Sequence, residues 1–225
     1  ESKEVIVPFP VELPLDRVTV TVPQKGEKRK LIELSKLNVL QYKADRIKQA
    51  DKLNPEQKQT RLLKELQDLL GMPKMPAQIE CFDNSNISGQ DAVAACVVFR
   101  MGKPSKQDYR RYTIKTVSGP DDYASMQEVV RRRYSRMIEE NTPLPDLIIT
   151  DGGRGQMEVV RQVVEDELHL DIAIGGLAKD DKHRTRAITE EGAEIAINSN
   201  RLAFTLVSTI QDEVHRFAIG FHRQQ

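Results

Sequence analysis

The sequence predicts an α/β protein: a mixed sheet of three antiparallel strands followed by parallel strands, flanked by helices, with a mainly helical N-terminal extension. Three observations predict it. Three strand patterns succeed one another between residues 79 and 117, strand and helix patterns then alternate from 122 to 217, and the first 76 residues carry leucines at helical spacing. No internal repeat interrupts this order.

The extension opens with VTVTVP, an alternating strand pattern ended by Pro23. Over 26–71 the signal is helical. Leu31, Leu34, Leu37 and Val39 or Leu40 recur near a 3.6 period, and Leu62, Leu63, Leu66, Leu69 and Leu70 repeat it. Asn54 followed by Pro55 reads as an N-cap with proline at the first helical position, and Gly71 stops that helix. The segment MPKMP at 72–76 reads as a linker, dividing the chain into an extension over 1–76 and a second domain over 77–225.

In the second domain IECFD (79–83) is a buried-strand pattern closed by turn residues at 84–89, and 92–99 is a near-continuous apolar strand. MGKPSK then suggests a hairpin into an alternating strand over 109–117. A helix over 122–140 places Met126, Val129, Val130 and Met137 on one side and its arginines elsewhere. Strand 147–149, helix 152–168, strand 172–177 and helix 202–217 complete the pattern.

Composition narrows the function. With 39% apolar and 30% charged residues among 225, the chain reads as folded rather than disordered. No apolar run approaches the ~18 residues of a membrane span, and the opening residues lack a signal-peptide layout. Cys81 and Cys96, with no CxxC, exclude a disulfide scaffold and a cysteine zinc site, so a reducing, cytoplasmic compartment is expected.

The 34 basic and 34 acidic residues cancel, which argues against a nucleic-acid partner only if they are evenly mixed. They are not. Residues 1–115 hold 21 basic and 15 acidic side chains, whereas 116–225 hold 13 and 19. Two basic stretches stand out, 24–50 and 100–115, the second with six basic residues against Asp108 alone. A single such run is most often a solvated face, but local charge sets the field that a polyanion feels.

Two aspartates end apolar strands: Asp83 after IECF and Asp151 after LIIT. Acids there point into the crevice where open α/β sheets bind ligands. If the two strands are neighbours, the carboxylates face each other, and a hard cation such as Mg²⁺ or Mn²⁺ offsets their repulsion. Each alone reads equally well as a cap for the next turn or helix. Asp122 opens the arginine-rich helix, either as a third carboxylate or as a partner for the macrodipole. His215 lies beside the apolar stripe of the last helix, a boundary residue or a metal ligand and proton acceptor. The glycines of DGGRG permit close backbone approach, to a phosphate or simply in a tight turn. Lys179, Arg154, Arg184 and Arg132 are candidate phosphate contacts; Arg132 and its neighbours Arg131, Arg133 and Arg136 equally suit solvent.

The segments IECFDNSNISG, CVVF, YRRYTIK, GPDDYASM, VVRRRY, LPDLIITDGGRGQ, GLAK and DEVHRFAIGFHR resemble, in unbroken order, the carboxyl-terminal half of the UvrC family. VPQKGEKRKLIELSKLN resembles the segment just before it. The resemblance implies an RNase H-like nuclease domain that makes the 5′ incision in damaged double-stranded DNA during nucleotide excision repair, with UvrB as partner and a divalent metal as cofactor. By motif it implies a catalytic set of Asp83, Asp151 and His215, with Asp122 as a further functional aspartate. Asn86 stands where many relatives have histidine. The GIY-YIG nuclease domain, the cysteine-rich region, the UvrB-binding hairpin and the tandem helix-hairpin-helix domain have no counterpart in the sequence, which is therefore expected to be an excised portion. A non-catalytic DNA- or UvrB-binding module, or an RNase H-fold nuclease with another substrate, are the competing expectations.

Overall fold

A computed structural model describes residues 3–12, 14, 18–85, 93–117, 121–179, 185–188, 194–196 and 202–220. The chain forms two compact units, Glu1–Pro55 and Glu56–Gln225. The division falls well before the proline-rich segment at 72–76. The reason is that Leu62, Leu63 and Leu66 are buried, the last two within the second unit's core.

In the first unit β1 (Glu4–Ile6) and β2 (Thr19–Thr21) pair in parallel, and the 27-residue helix α1 (Glu27–Leu53) follows. Lys28 on α1 reaches the Glu4 carboxylate at 2.7 Å. The leucine spacing predicts a buried face on α1, yet Ile32 is its one buried residue, and Leu31, Leu34, Leu37 and Leu40 are more than half exposed. A helix of this length runs about 40 Å, and two three-residue strands are too short to cover it.

The second unit opens with α2 (Pro55–Leu70), which starts at the expected proline and ends at Gly71, in the left-handed region with φ 67°. The strands are β3 (Gln78–Ser85), β4 (Val93–Arg100), β5 (Lys103–Pro104), β6 (Arg110–Thr113), β7 (Leu147–Thr150), β8 (Ala173–Lys179), β9 (Thr185–Ile188) and β10 (Glu194–Ala196). The helices are α3 (Asp122–Glu139), α4 (Arg154–Arg161), continued by a π-helical turn over Gln162–Glu167, and α5 (Leu202–Ile219).

Among the described residues these strands form one mixed sheet, in the order β10-β9-β8-β7-β3-β4-β5 with β6 also on β4. β4 is antiparallel to β3, β5 and β6, whereas β3, β7 and β8 run parallel. This is the predicted architecture, with β9 and β10 added as an antiparallel extension. Two layers cover the sheet. Ile79, Cys81 and Ala95 pack with α5 and α2 on one face, while Phe82, Ala94 and Cys96 pack with α3 and α4 on the other.

The third strand is shorter than its alternation predicts. β6 stops at Thr113, which pairs with Val93, the first residue of β4. Beyond it the backbone N–H groups of Lys115 and Thr116 turn to the Glu128 carboxylate on α3. Those donors find an acceptor outside the ladder, on a neighbouring helix rather than a neighbouring strand.

Candidate metal centre

The parallel pairing of β3 and β7 sets Phe82 opposite Thr150, so the next residue on each strand is an aspartate. The ladder extends one bond further, from the Asp151 N–H to the Phe82 carbonyl at 3.0 Å. Asp83 follows Ile79 and Cys81 on the face covered by α5, and that helix brings down His215. The imidazole lies between the acids: Nδ1 is 3.0 Å from Asp83 Oδ2, and Nε2 is 2.8 Å from Asp151 Oδ2. The potential ligand atoms of Asp83, Asp151 and His215 all lie within 4.8 Å of one another.

The electrostatics of the pair follow from this placement. The carboxylates are 13% and 9% exposed. Burial, and then the charge of Asp151, push the Asp83 carboxyl above the usual range, and His215 opposes that shift. Both imidazole contacts are hydrogen bonds at once only in the doubly protonated ring, since the neutral ring carries one N–H. Two carboxylate oxygens and one imidazole nitrogen converging in a part-open crevice suit a divalent cation with a preference for hard ligands.

Gln211 stands one turn before His215 on the same face of α5, and its Nε2 donates to Asp151 Oδ1 at 2.9 Å. One oxygen of Asp151 is thus held by an amide while the other faces the imidazole. Gln211 carries no motif signal of its own. Its spacing of four residues from His215 is the clue that marks it.

The glycines have a steric explanation. A Cβ at Gly152 would collide with the Gln156 side chain, and one at Gly155 would lie 2.5 Å from Tyr123 Oη. Gly176, opposite Thr150 on β8, approaches the Gly152 carbonyl and Met157, so a Cβ there would lie 3.1 and 2.7 Å from them. These close approaches allow the turn bearing Asp151 to seat against its neighbours.

The other candidates are dispersed. Asp122 is the first residue of α3, with an exposed side chain, and its carbonyl accepts from Asn84 Nδ2 at 2.8 Å. It is therefore close in the fold to Asp83, but it is not one of the three clustered groups. Asp121 caps α3 by accepting from the Ala124 N–H at 2.9 Å. Arg154 begins α4 and is exposed. Arg132 lies across the sheet, donating to Thr113 O and Glu128 Oε1. Lys179 ends β8 and pairs in register with Thr185, while Asn86 and Arg184 lie outside the described residues. Cys81 and Cys96 are fully buried free thiols whose burial pushes them up, which fits packing rather than chemistry.

Residues 67–219 match the UvrC RNase H endonuclease domain. The chain belongs to that family. It is 67% identical over 226 residues to UvrABC system protein C of Bacteroides thetaiotaomicron, covering 100% of this chain and 37% of that protein. The protein of the same description from Porphyromonas gingivalis is 46% identical over 225 residues, covering 99% of this chain and again 37% of the relative. This UvrC-family chain thus spans little more than a third of the relatives it matches. Among solved structures, Ciona intestinalis endonuclease V, in complex with a 24mer DNA, matches 59% of this chain and 58% of its own. The match has TM-score 0.36 and 16% identity, a likeness too slight to bear on function.

Proposed function

We propose that this domain is a divalent-metal-dependent DNA endonuclease, making the 5′ incision in damaged duplex DNA within the UvrABC system, with UvrB presenting the substrate. The observation that carries the reading is the convergence of Asp83, Asp151 and His215 at the carboxyl ends of two adjacent parallel strands. Membership in a UvrC endonuclease family supports the class of reaction. Cytoplasmic residence belongs to the same reading, and it accords with two buried free thiols.

Asp83 and Asp151 would hold Mg²⁺ or Mn²⁺, with His215 completing the set. Such a cation would supply Lewis-acid chemistry toward water and the phosphate. Asp83, within β3, and Asp151, on the turn directly after β7, fix where the scissile phosphate approaches. Gln211 keeps Asp151 from rotating away, as partners of metal-binding carboxylates do. His215, from the facing helix, either donates its nitrogen to the cation or accepts a proton at that nitrogen. Asp122, joined through its backbone to Asn84, supports the crevice from the start of α3. Arg154, Lys179, Arg184 and Arg132 are proposed to meet DNA phosphates.

The non-catalytic alternative leaves the clustering of three ligand groups without a purpose. The test is Asp83→Asn. The reading expects loss of 5′ incision in the reconstituted excision system with DNA binding retained, and unimpaired cutting by that variant would refute it. A panel including RNA–DNA hybrids and junctions separates the damaged-duplex substrate from other RNase H-fold substrates.

A further inference from the structure

The basic stretch 100–115 and the arginines of α3, distant in sequence, converge in the second unit. Arg100 and Arg110, from the former, and Arg132, Arg133 and Arg136, from the latter, line one cleft of about 430 Å³ with Tyr112 on its wall. The cleft lies on the α3 side of the sheet. Its floor includes Glu80, which points toward α3, whereas Asp83, three residues on, points toward α5. The cleft and the candidate metal centre therefore sit on opposite faces.

The arginines are held in place but not used up. Arg133 is spent on structure: its Nε and Nη2 chelate the Glu80 carboxylate at 2.6 and 2.7 Å, and its Nη1 reaches Tyr112 Oη at 3.3 Å. Among the described residues Arg110 engages only Nη1, with the carbonyls of Gln107 and Tyr109. Arg132 likewise engages only Nη1 among the described residues, with Thr113 O and Glu128, while its Cζ lies 5.5 Å from the Tyr112 ring centroid. Arg136 spends Nε on Glu140 at 2.7 Å, and Arg100 spends Nε and Nη1 on Asp108 and Gln78. Among the described residues, Arg110, Arg132 and Arg136 each keep a pair of N–H-bearing nitrogens for a ligand.

We propose that this arginine cleft is a second nucleic-acid contact, binding the phosphodiester backbone of a strand on the face of the domain opposite the metal centre. Paired guanidinium nitrogens match two oxygens at once. Forks arriving from β4, β6 and α3 suit a tetrahedral phosphate, which offers oxygens in several directions, better than a planar carboxylate. Lining charge favours an anion, with six arginines against Glu80, Asp108 and Glu140. The choice of nucleic acid as the polyanion rests on the nuclease reading; the cleft itself does not.

The test is metal-free. Binding of a fluorescent duplex oligonucleotide is measured in EDTA over a salt series, for the wild-type chain and for Arg110→Gln with Arg136→Gln. Neither side chain supports the buried Glu80 network, so the fold should persist, as a thermal melt would show. The expected result is a loss of affinity of about tenfold or more at low salt. The salt slope should also shrink by roughly two, since each lost phosphate contact removes about 0.9. Unchanged affinity and slope overturn the proposal, as does a wild-type chain that binds no oligonucleotide. Binding of an oligo-glutamate peptide that the variant loses while it keeps oligonucleotide binding overturns it in favour of an acidic protein partner. Should the variant not fold, phenylglyoxal footprinting of the wild type decides. Protection of Arg110, Arg132 and Arg136 by the oligonucleotide supports the cleft, and equal modification with and without it refutes it. Failure of the nuclease reading shows separately, as an absence of Mn²⁺ binding at Asp83 and Asp151.

Discussion

Gln211 Nε2 donates to Asp151 Oδ1 at 2.9 Å, and so fixes the carboxylate whose other oxygen faces His215. Because Gln211 is buried, at 7% exposure, its replacement leaves Asp151 free to rotate. Gln211→Leu keeps the volume and removes the donor. Mn²⁺ affinity of this variant, read by calorimetry, should fall about tenfold or more, the usual effect of losing a partner of a ligand side chain. Wild-type affinity would mean that Asp151 needs no such support.

The ion pair of Glu80 and Arg133 is nearly solvent-free, with side chains 0% and 9% exposed. Tyr134 Oη adds a bond to Glu80 at 2.9 Å, and Gln78 Nε2 a longer one at 3.3 Å. Removing one partner strands the other charge. Arg133→Met should destabilise the domain by about 3–5 kcal/mol in urea unfolding. The double variant with Glu80→Leu should recover much of that loss.

Glu128 is a source of acid sensitivity. Burial alone would raise its carboxyl, but the Thr116 hydroxyl, the Thr116 and Lys115 N–H groups and Arg132 outweigh burial and hold it at about 2. Its folded value lies below its unfolded one. The stabilisation it contributes is therefore complete above about pH 4.5 and is lost as pH falls toward 2. Glu128→Gln should lower stability at pH 7 by on the order of 2 kcal/mol, allowing for solvent screening, and flatten the decline between pH 5 and pH 2. Parallel acid-denaturation curves for the two proteins would contradict this.

Gly176 is hemmed in by the Gly152 carbonyl and the Met157 sulfur. Gly176→Ala should cost about 1–3 kcal/mol by thermal melting. It should also weaken Mn²⁺ binding, because the clash falls on the turn that carries Asp151. A variant as stable as the wild type would show that the turn yields freely.

Much of this arrangement was legible in the residues. Asp83 and Asp151 announce themselves as acids ending apolar strands, and only the parallel register of β3 with β7 was needed to set them side by side. His215 was ambiguous, since a histidine next to an apolar stripe says nothing of what the facing strands carry. Gln211 was hidden, because its role depends on the height of α5 above the sheet. The early end of β6 was unreadable for a similar reason: Glu128, far along the chain, takes the N–H groups that the alternation assigned to a ladder. Local periodicity cannot tell which core the leucine stripe of α2 enters, and Leu63 and Leu66 enter that of the second unit. The leucines of α1 mislead in the opposite sense, with a stripe that stays largely exposed.

The most direct measurement is anomalous diffraction from crystals of this chain soaked in Mn²⁺. One strong peak is expected, with the oxygens of Asp83 and Asp151 and a nitrogen of His215 within about 2.6 Å of it, absent from Asp83→Asn crystals. A Mn²⁺ peak elsewhere, or an empty crevice between β3, β7 and α5 at saturating ion, would contradict the assignment of these three residues as the metal centre.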